Sequence, residues 1–145
     1  MPTLSKGCQP PNPDKYPGDE GLDLSGHLEL AVGVEQVKAN FARYGLLDDK
    51  VRFLVGWFKD TLPAAPIEQL ALVRLDGDLY ESTMDAIVAL YPKLSVGGYL
   101  IVDDYGVPAF SKACRQAIID YRAAHDIAEP IHEIDWSGVY WRRER

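Results

Sequence analysis

The chain has 145 residues, 47% apolar and 26% charged, with 15 Lys and Arg against 22 Asp and Glu for a formal net charge of −7. That apolar share suits one folded domain and excludes a disordered chain. The negative balance excludes a general nucleic-acid binder, which needs clustered Lys and Arg to displace counterions. No apolar run approaches the ~20 residues that span a bilayer, so no membrane partner is expected. The opening residues lack the apolar core of a signal peptide, and two cysteines, Cys8 and Cys114, make no disulfide framework. A reducing, cytoplasmic setting follows.

Residues 1–26 read as irregular, because Gln9-Pro10-Pro11-Asn12-Pro13-Asp14-Lys15-Tyr16-Pro17-Gly18 is saturated with breakers. A helix is expected over 34–44, where Val34, Val37, Phe41 and Tyr44 share one face of a 3.6 period, with Gly45 as its C-terminal stop. Residues 51–55, Val-Arg-Phe-Leu-Val, read as a strand ending at Gly56. After the breaks at Pro63 and Pro66, residues 70–75 form a nearly continuous apolar run, the pattern of a parallel strand covered on both faces. It stops at Asp76-Gly77-Asp78. Ser82, with Asp85 three residues on, reads as a helix N-cap, and the helix turns Met84, Ile87, Val88 and Tyr91 inward. Gly97-Gly98 then turns the chain into a third strand over 99–102, which ends at Asp103-Asp104. A helix over 109–125 follows, with Ala113, Ala117, Ile118 and Tyr121 inward. Strands over 131–134 and 139–142 close the chain as a hairpin through Asp135-Trp136-Ser137-Gly138.

This order implies an α/β fold with a mainly parallel sheet ending in an antiparallel hairpin. Ligands of such sheets sit beyond the carboxyl ends of the strands. Asp76, Asp78, Asp103 and Asp104 should therefore share one rim. Converging carboxylates repel unless a cation lies between them, and oxygen ligands favour Mg²⁺, Mn²⁺ or Ca²⁺. The plainer alternative is that these acids only end strands and favour the starts of the following helices. One metal-dependent reading is a phosphatase of the haloacid-dehalogenase type, whose D-x-D pair Asp76-Gly77-Asp78 resembles. Against it, Tyr80 stands where that family has Thr or Val, and the gap to Asp103 is too short for its intervening strands.

A second likeness is far more specific. Arg74-Leu75-Asp76-Gly77-Asp78-Leu79-Tyr80-Glu81-Ser82-Thr83, Leu90-Tyr91-Pro92-Lys93-Leu94 and Gly97-Gly98-Tyr99-Leu100-Ile101-Val102-Asp103-Asp104-Tyr105 occur in order. So do Val37-Lys38-Ala39-Asn40-Phe41, Gly56-Trp57-Phe58-Lys59-Asp60-Thr61 and Asp135-Trp136-Ser137-Gly138-Val139-Tyr140-Trp141. Together they closely resemble the macrocin O-methyltransferase family, over about residues 28–145. The resemblance implies the C-terminal part of a Rossmann-like class I methyltransferase fold. It also implies S-adenosyl-L-methionine and Mg²⁺ as cofactors and a sugar hydroxyl of a macrolide-type natural product as acceptor, as in antibiotic biosynthesis. By the same resemblance Asp76, Asp103 and Asp104 are the metal ligands, and Asp78 is either an outer partner or a solvated turn residue. His27 is the general base or a loop histidine without a role. Gly56, Trp57, Phe58 and Asp76 border the cofactor, with Trp57 and Phe58 either stacking on the adenine or packing in the core.

The sequence departs from the family at its start. It shows neither the opening strand and Gly-rich turn nor the second strand with its ribose-binding acid; Thr3 and Leu4 stand where that acid would be. The expectation is an irregular segment over 1–26 and a partial methyltransferase domain over 27–145 that lacks the first two strands. The strands over 51–55 and 70–75 would then carry bare edges that invite a homo-oligomer or a completing segment. The alternative is a non-enzymatic remnant, or an interaction module that binds metal.

Overall fold

The computed structural model describes residues 8–27 and 30–145, so the expectation resting on Thr3 and Leu4 lies outside the described residues. The sheet is built around β1, Leu70–Leu75, and β2, Leu94–Val102, which run parallel with Val73 beside Leu100 and Leu75 beside Val102. The tail adds β3, His132–Glu133, and β4, Val139–Arg142, in the order β1-β2-β4-β3. β4 is antiparallel to both neighbours and sets Trp141 against Leu100 and Val139 against Val102.

Because side chains alternate along a strand, these registers line up two rows on one face: Val73, Leu100 and Trp141, then Leu75, Val102 and Val139. All six are buried. Two helices cover them, α3, Tyr80–Leu90, and α4, Cys114–Ala124. α3 supplies Ala86 and Ile87, and α4 supplies Cys114, Ile118 and Tyr121. Each large side chain withdrawn from water here contributes about 1.5–3 kcal/mol before entropy is counted. The other face of the sheet is open among the described residues. Leu72 is 54% exposed and Tyr99 42%.

Among the described residues, two α-helices precede the sheet. α1, Val34–Arg43, stops one residue before its expected end, and Gly45 takes the left-handed φ of +67° that its stop requires. None of its residues is buried. α2, Phe58–Thr61, is a single turn.

Several expectations are corrected. Residues 51–55 form no strand among the described residues, although β1 forms as read. Local β preference does not satisfy backbone N–H and C=O groups; only a paired neighbour does. α3 starts at Tyr80, so Ser82 lies inside the first turn, and its hydroxyl donates to the Gly77 carbonyl instead of capping. Val88 is 53% exposed, and the inward stripe runs through Thr83, Ala86 and Ile87. Gly97-Gly98 does not turn the chain; both residues lie inside β2, with Gly97 at φ +87°. A β carbon on Gly98 would sit 2.8 Å from the Ala71 carbonyl oxygen, so the glycine lets β2 run close beside β1. The last helix is a 3-10 turn, Pro108–Phe110, followed by α4, which buries Ala117, Ile118 and Tyr121 as expected, with Ala113 buried just before it. The penultimate strand shortens to β3. No helix among the described residues is long and apolar enough to cross a membrane.

Candidate metal and cofactor site

β1 and β2 end side by side, and the Asp103 N–H donates to the Leu75 carbonyl. The acidic residues therefore emerge at one level. Asp76, Asp78 and Asp104 each present a carboxylate oxygen within 4.8 Å of the others. Asp78 stands at φ +44°, a left-handed conformation costly for a residue with a side chain. Its carbonyl accepts the N–H of Cys114 at the start of α4, 3.1 Å away.

The electrostatics reflect the crowding. Asp104 is pushed up to about 6, first by burial and then by the charges of Asp78, Asp76 and Asp103. Burial, and then the neighbouring Asp76, also raise Asp78. The buried Oδ2 of Asp104 has no hydrogen-bond partner. A buried acceptor without a donor is expensive, and with exposed Asp76 and half-buried Asp78 the Asp104 carboxylate completes an all-oxygen donor set. The residues present therefore fit a hard divalent cation.

Asp103 is placed differently from its neighbours. Arg74 Nε donates to Asp103 Oδ1 at 3.1 Å, and its Nη2 pairs with the other oxygen. The group of three thus contains Asp78, which the sequence placed behind the ligands, in the position expected of Asp103. Register explains the pairing. Arg74 lies beside Ile101, and Asp103, two residues further on, projects from the same face. Arg74 belongs to the motif around Asp76, but its partner Asp103 is invisible without the strand pairing.

The expected cofactor residues do meet. Gly56, Trp57 and Phe58 line a cleft of about 200 Å³ whose other wall is Asp76, Gly77, Asp78 and Leu79. Cys8 and Gln9 close it from the Pro-rich segment, a contribution that no sequence motif signalled. Trp57 is partly buried and Phe58 is 38% exposed, so neither is a core residue. His27 lies on an exposed turn whose backbone bonds to Leu24 and Leu30. It is outside the cleft lining, though Leu24 is part of it.

The model of one protein family, Macrocin-O-methyltransferase (TylF), matches residues 5–143. The chain belongs to the macrocin O-methyltransferase family. The haloacid-dehalogenase reading is thereby set aside. Among curated relatives, the chain is 58% identical over 130 residues to the 8-demethyl-8-(2,3-dimethoxy-alpha-L-rhamnosyl)-tetracenomycin-C 4'-O-methyltransferase of Streptomyces olivaceus, covering 89% of this chain and 48% of that one. It is 55% identical over 133 residues to the demethyldecarbamoylnovobiocin O-methyltransferase of Streptomyces niveus, covering 91% and 50%. The chain spans about half the length of the curated relatives it matches. The solved structure of the O-methyltransferase NovP superposes with a TM-score of 0.90 at 52% identity, over 98% of this chain and 58% of that one. The α/β expectation therefore holds, as the C-terminal part of that methyltransferase fold.

Proposed function

We propose that this protein carries the metal-binding part of a sugar O-methyltransferase site, with S-adenosyl-L-methionine as methyl donor and a sugar-bearing natural product as acceptor. The observation that carries the reading is the convergence of Asp76, Asp78 and Asp104 at paired strand ends, with a buried Asp104 oxygen that lacks a partner. Family membership and the names of the curated relatives, both O-methyltransferases, support it.

When bound, Mg²⁺ would lower the pKa of an acceptor hydroxyl, and the sulfonium donor would supply an already activated methyl group. Asp76 and Asp104 would hold the cation, with Asp103, which pairs with Arg74, as a further carboxylate ligand. Asp78 would face the same cation from its left-handed position in the loop. Trp57 and Phe58 would offer aromatic faces to the donor's adenine, in the cleft that Gly77 also lines. The Arg74 guanidinium, exposed beside Asp76 and Asp103, offsets part of the rim's negative charge. His27 is the proposed acceptor of the hydroxyl proton, on the turn that follows Leu24. The protein's contribution is chiefly positioning.

The cleft is smaller than the ~300–1,000 Å³ of ordinary small-molecule sites. That size supports a second reading, a metal-binding interaction module without turnover. Titration calorimetry with Mg²⁺ and S-adenosylhomocysteine separates the two. The enzyme reading expects Mg²⁺ binding that is lost in Asp76→Asn and weakened in Asp103→Asn, and homocysteine-nucleoside binding that Trp57→Ala weakens. Cation binding without any nucleoside binding leaves the module. Cation binding that survives Asp76→Asn defeats both.

A further inference from the structure

α3 begins without a cap of its own. Leu79 precedes its first residue and offers no side-chain acceptor to the free N–H groups of the first turn. The acceptor comes from far up the chain. Asp19 is completely buried, and its two carboxylate oxygens take the N–H of Tyr80 at 2.6 Å and of Glu81 at 3.2 Å. The segment around it is fastened to the same helix. Tyr16 stacks on Tyr80 with ring centroids 5.6 Å apart, and Gln9 Nε2 donates to Glu81 Oε2 at 2.6 Å. Gly18 lies flat against the Lys112 carbonyl ahead of α4, where any side chain would collide.

The fastened helix end is also the end of the acidic loop. Gly77 bonds back from the Leu79 N–H and the Ser82 hydroxyl, so Asp78 is enclosed between α3 and the Cys114 N–H. A left-handed, non-glycine residue keeps its conformation only when its surroundings over-determine it. Releasing the first turn of α3 removes one of the two supports of Asp78.

We propose that Asp19 is a positioning residue for the cation site. It caps α3 from a distance, fixes the acidic loop, and thereby sets the Asp78 carboxylate against those of Asp76 and Asp104. The inference rests on the cation reading above and adds to it a remote residue that touches neither cation nor substrate. It also gives the Pro-rich segment a function, because the residue that pins that segment pins the loop as well.

The test is Mn²⁺ binding to the full chain, read from the free-ion electron paramagnetic resonance signal. Asp19→Ala should weaken binding about 10-fold, the lower end of what losing an outer partner of a metal ligand costs. Asp19→Asn keeps one of the two acceptor oxygens and should fall between Asp19→Ala and the native chain, about two- to threefold weaker than the native chain. Ile118→Val serves as the control for general softening, because it trims the core away from the loop. It should lower Tm and leave Mn²⁺ affinity unchanged. Native-like affinity in a folded Asp19→Ala overturns the proposal, and so does an equal loss in Ile118→Val. If Asp19→Ala does not fold, Asp19→Asn decides: a measurable weakening supports the proposal, and none overturns it. Failure of the underlying reading looks different, since the native chain would then bind no Mn²⁺, or bind it equally after Asp76→Asn.

Discussion

β1 and residues 51–55 are both short apolar runs with comparable local preference, yet they end in different states. β1 lies beside β2 and sends Val73 and Leu75 under two helices. Residues 51–55 lie beside α1, where the main contact is Phe53 meeting Phe41 edge-on with centroids 5.5 Å apart. Leu54 and Val55 are exposed, as are Tyr44, Leu46 and Leu47 around the preceding turn. The difference is one of partners. Residues 70–145 close a core through strands that pair and helices that share a face, whereas the described part of 30–57 has little to pack against. The acidic site belongs to the first region, and Gly56 and Trp57 of the cleft's other wall to the second.

Native-state hydrogen exchange should show the largest contrast. The amides of Leu100, Val102 and Trp141 should open only with global unfolding, and those of residues 52–55 through local motion. Given an ordinary domain stability, protection should differ by at least about 10³-fold. Equal protection would break the comparison, because residues 51–55 would then be paired.

Trp141→Ala sharpens the contrast from the other side. The ring is fully buried, and the Arg122 guanidinium lies 4.6 Å from its centre. Removing it should cost about 3–5 kcal/mol in urea unfolding, a large share of a domain's total. A cost under about 1 kcal/mol would mean that Trp141 is not central to the packing.

Much of this was readable from residue order. β1 and β4 fall where the apolar runs place them, the inward face of α4 follows its period, and both acidic pairs lie at strand ends. Where the reading failed, the deciding interaction was distant in sequence. Ser82 resembles a cap by local rule, but Asp19 already occupies the first turn of α3. Gly97-Gly98 resembles a turn, but Ala71 needs glycine beside it. The pairing of Arg74 with Asp103, which no local rule signals, comes through strand register alone. The strand over 51–55 failed for the same reason, since strandedness belongs to a pair of segments.

A cation should stabilise the first region selectively. Asp104 is raised from 3.8 to about 6, so the fold favours its protonated form. That contribution is fully present below the ordinary value and is lost as pH rises through about 6. Without added cation, Tm should decline on this account between those limits. Mg²⁺ competes with the proton, so its stabilisation should be small near pH 4.5 and full near pH 7.5. There, about 100 Kd of Mg²⁺ adds about 2.7 kcal/mol. Exchange should slow at residues 75–83 and 102–105 and stay unchanged over 34–55. An equal Tm shift at both pH values would detach the effect from Asp104.

The smallest expected effect lies in the second region. Phe53 is half-buried, with Phe41 against its edge and Lys38 Nζ 6.0 Å from its ring centre. An aromatic pair adds about 0.5–1.5 kcal/mol beyond burial, and a cation at an exposed ring about 0.5–1. Much of that is offset by ordering side chains that remain open to water. Phe53→Ala should therefore cost about 1 kcal/mol or less in urea unfolding, and it should speed exchange within α1 while leaving β2 and β4 unaffected. A loss approaching that of Trp141→Ala would mean that both segments belong to one cooperative core, with the pairing partner of residues 51–55 still to be found.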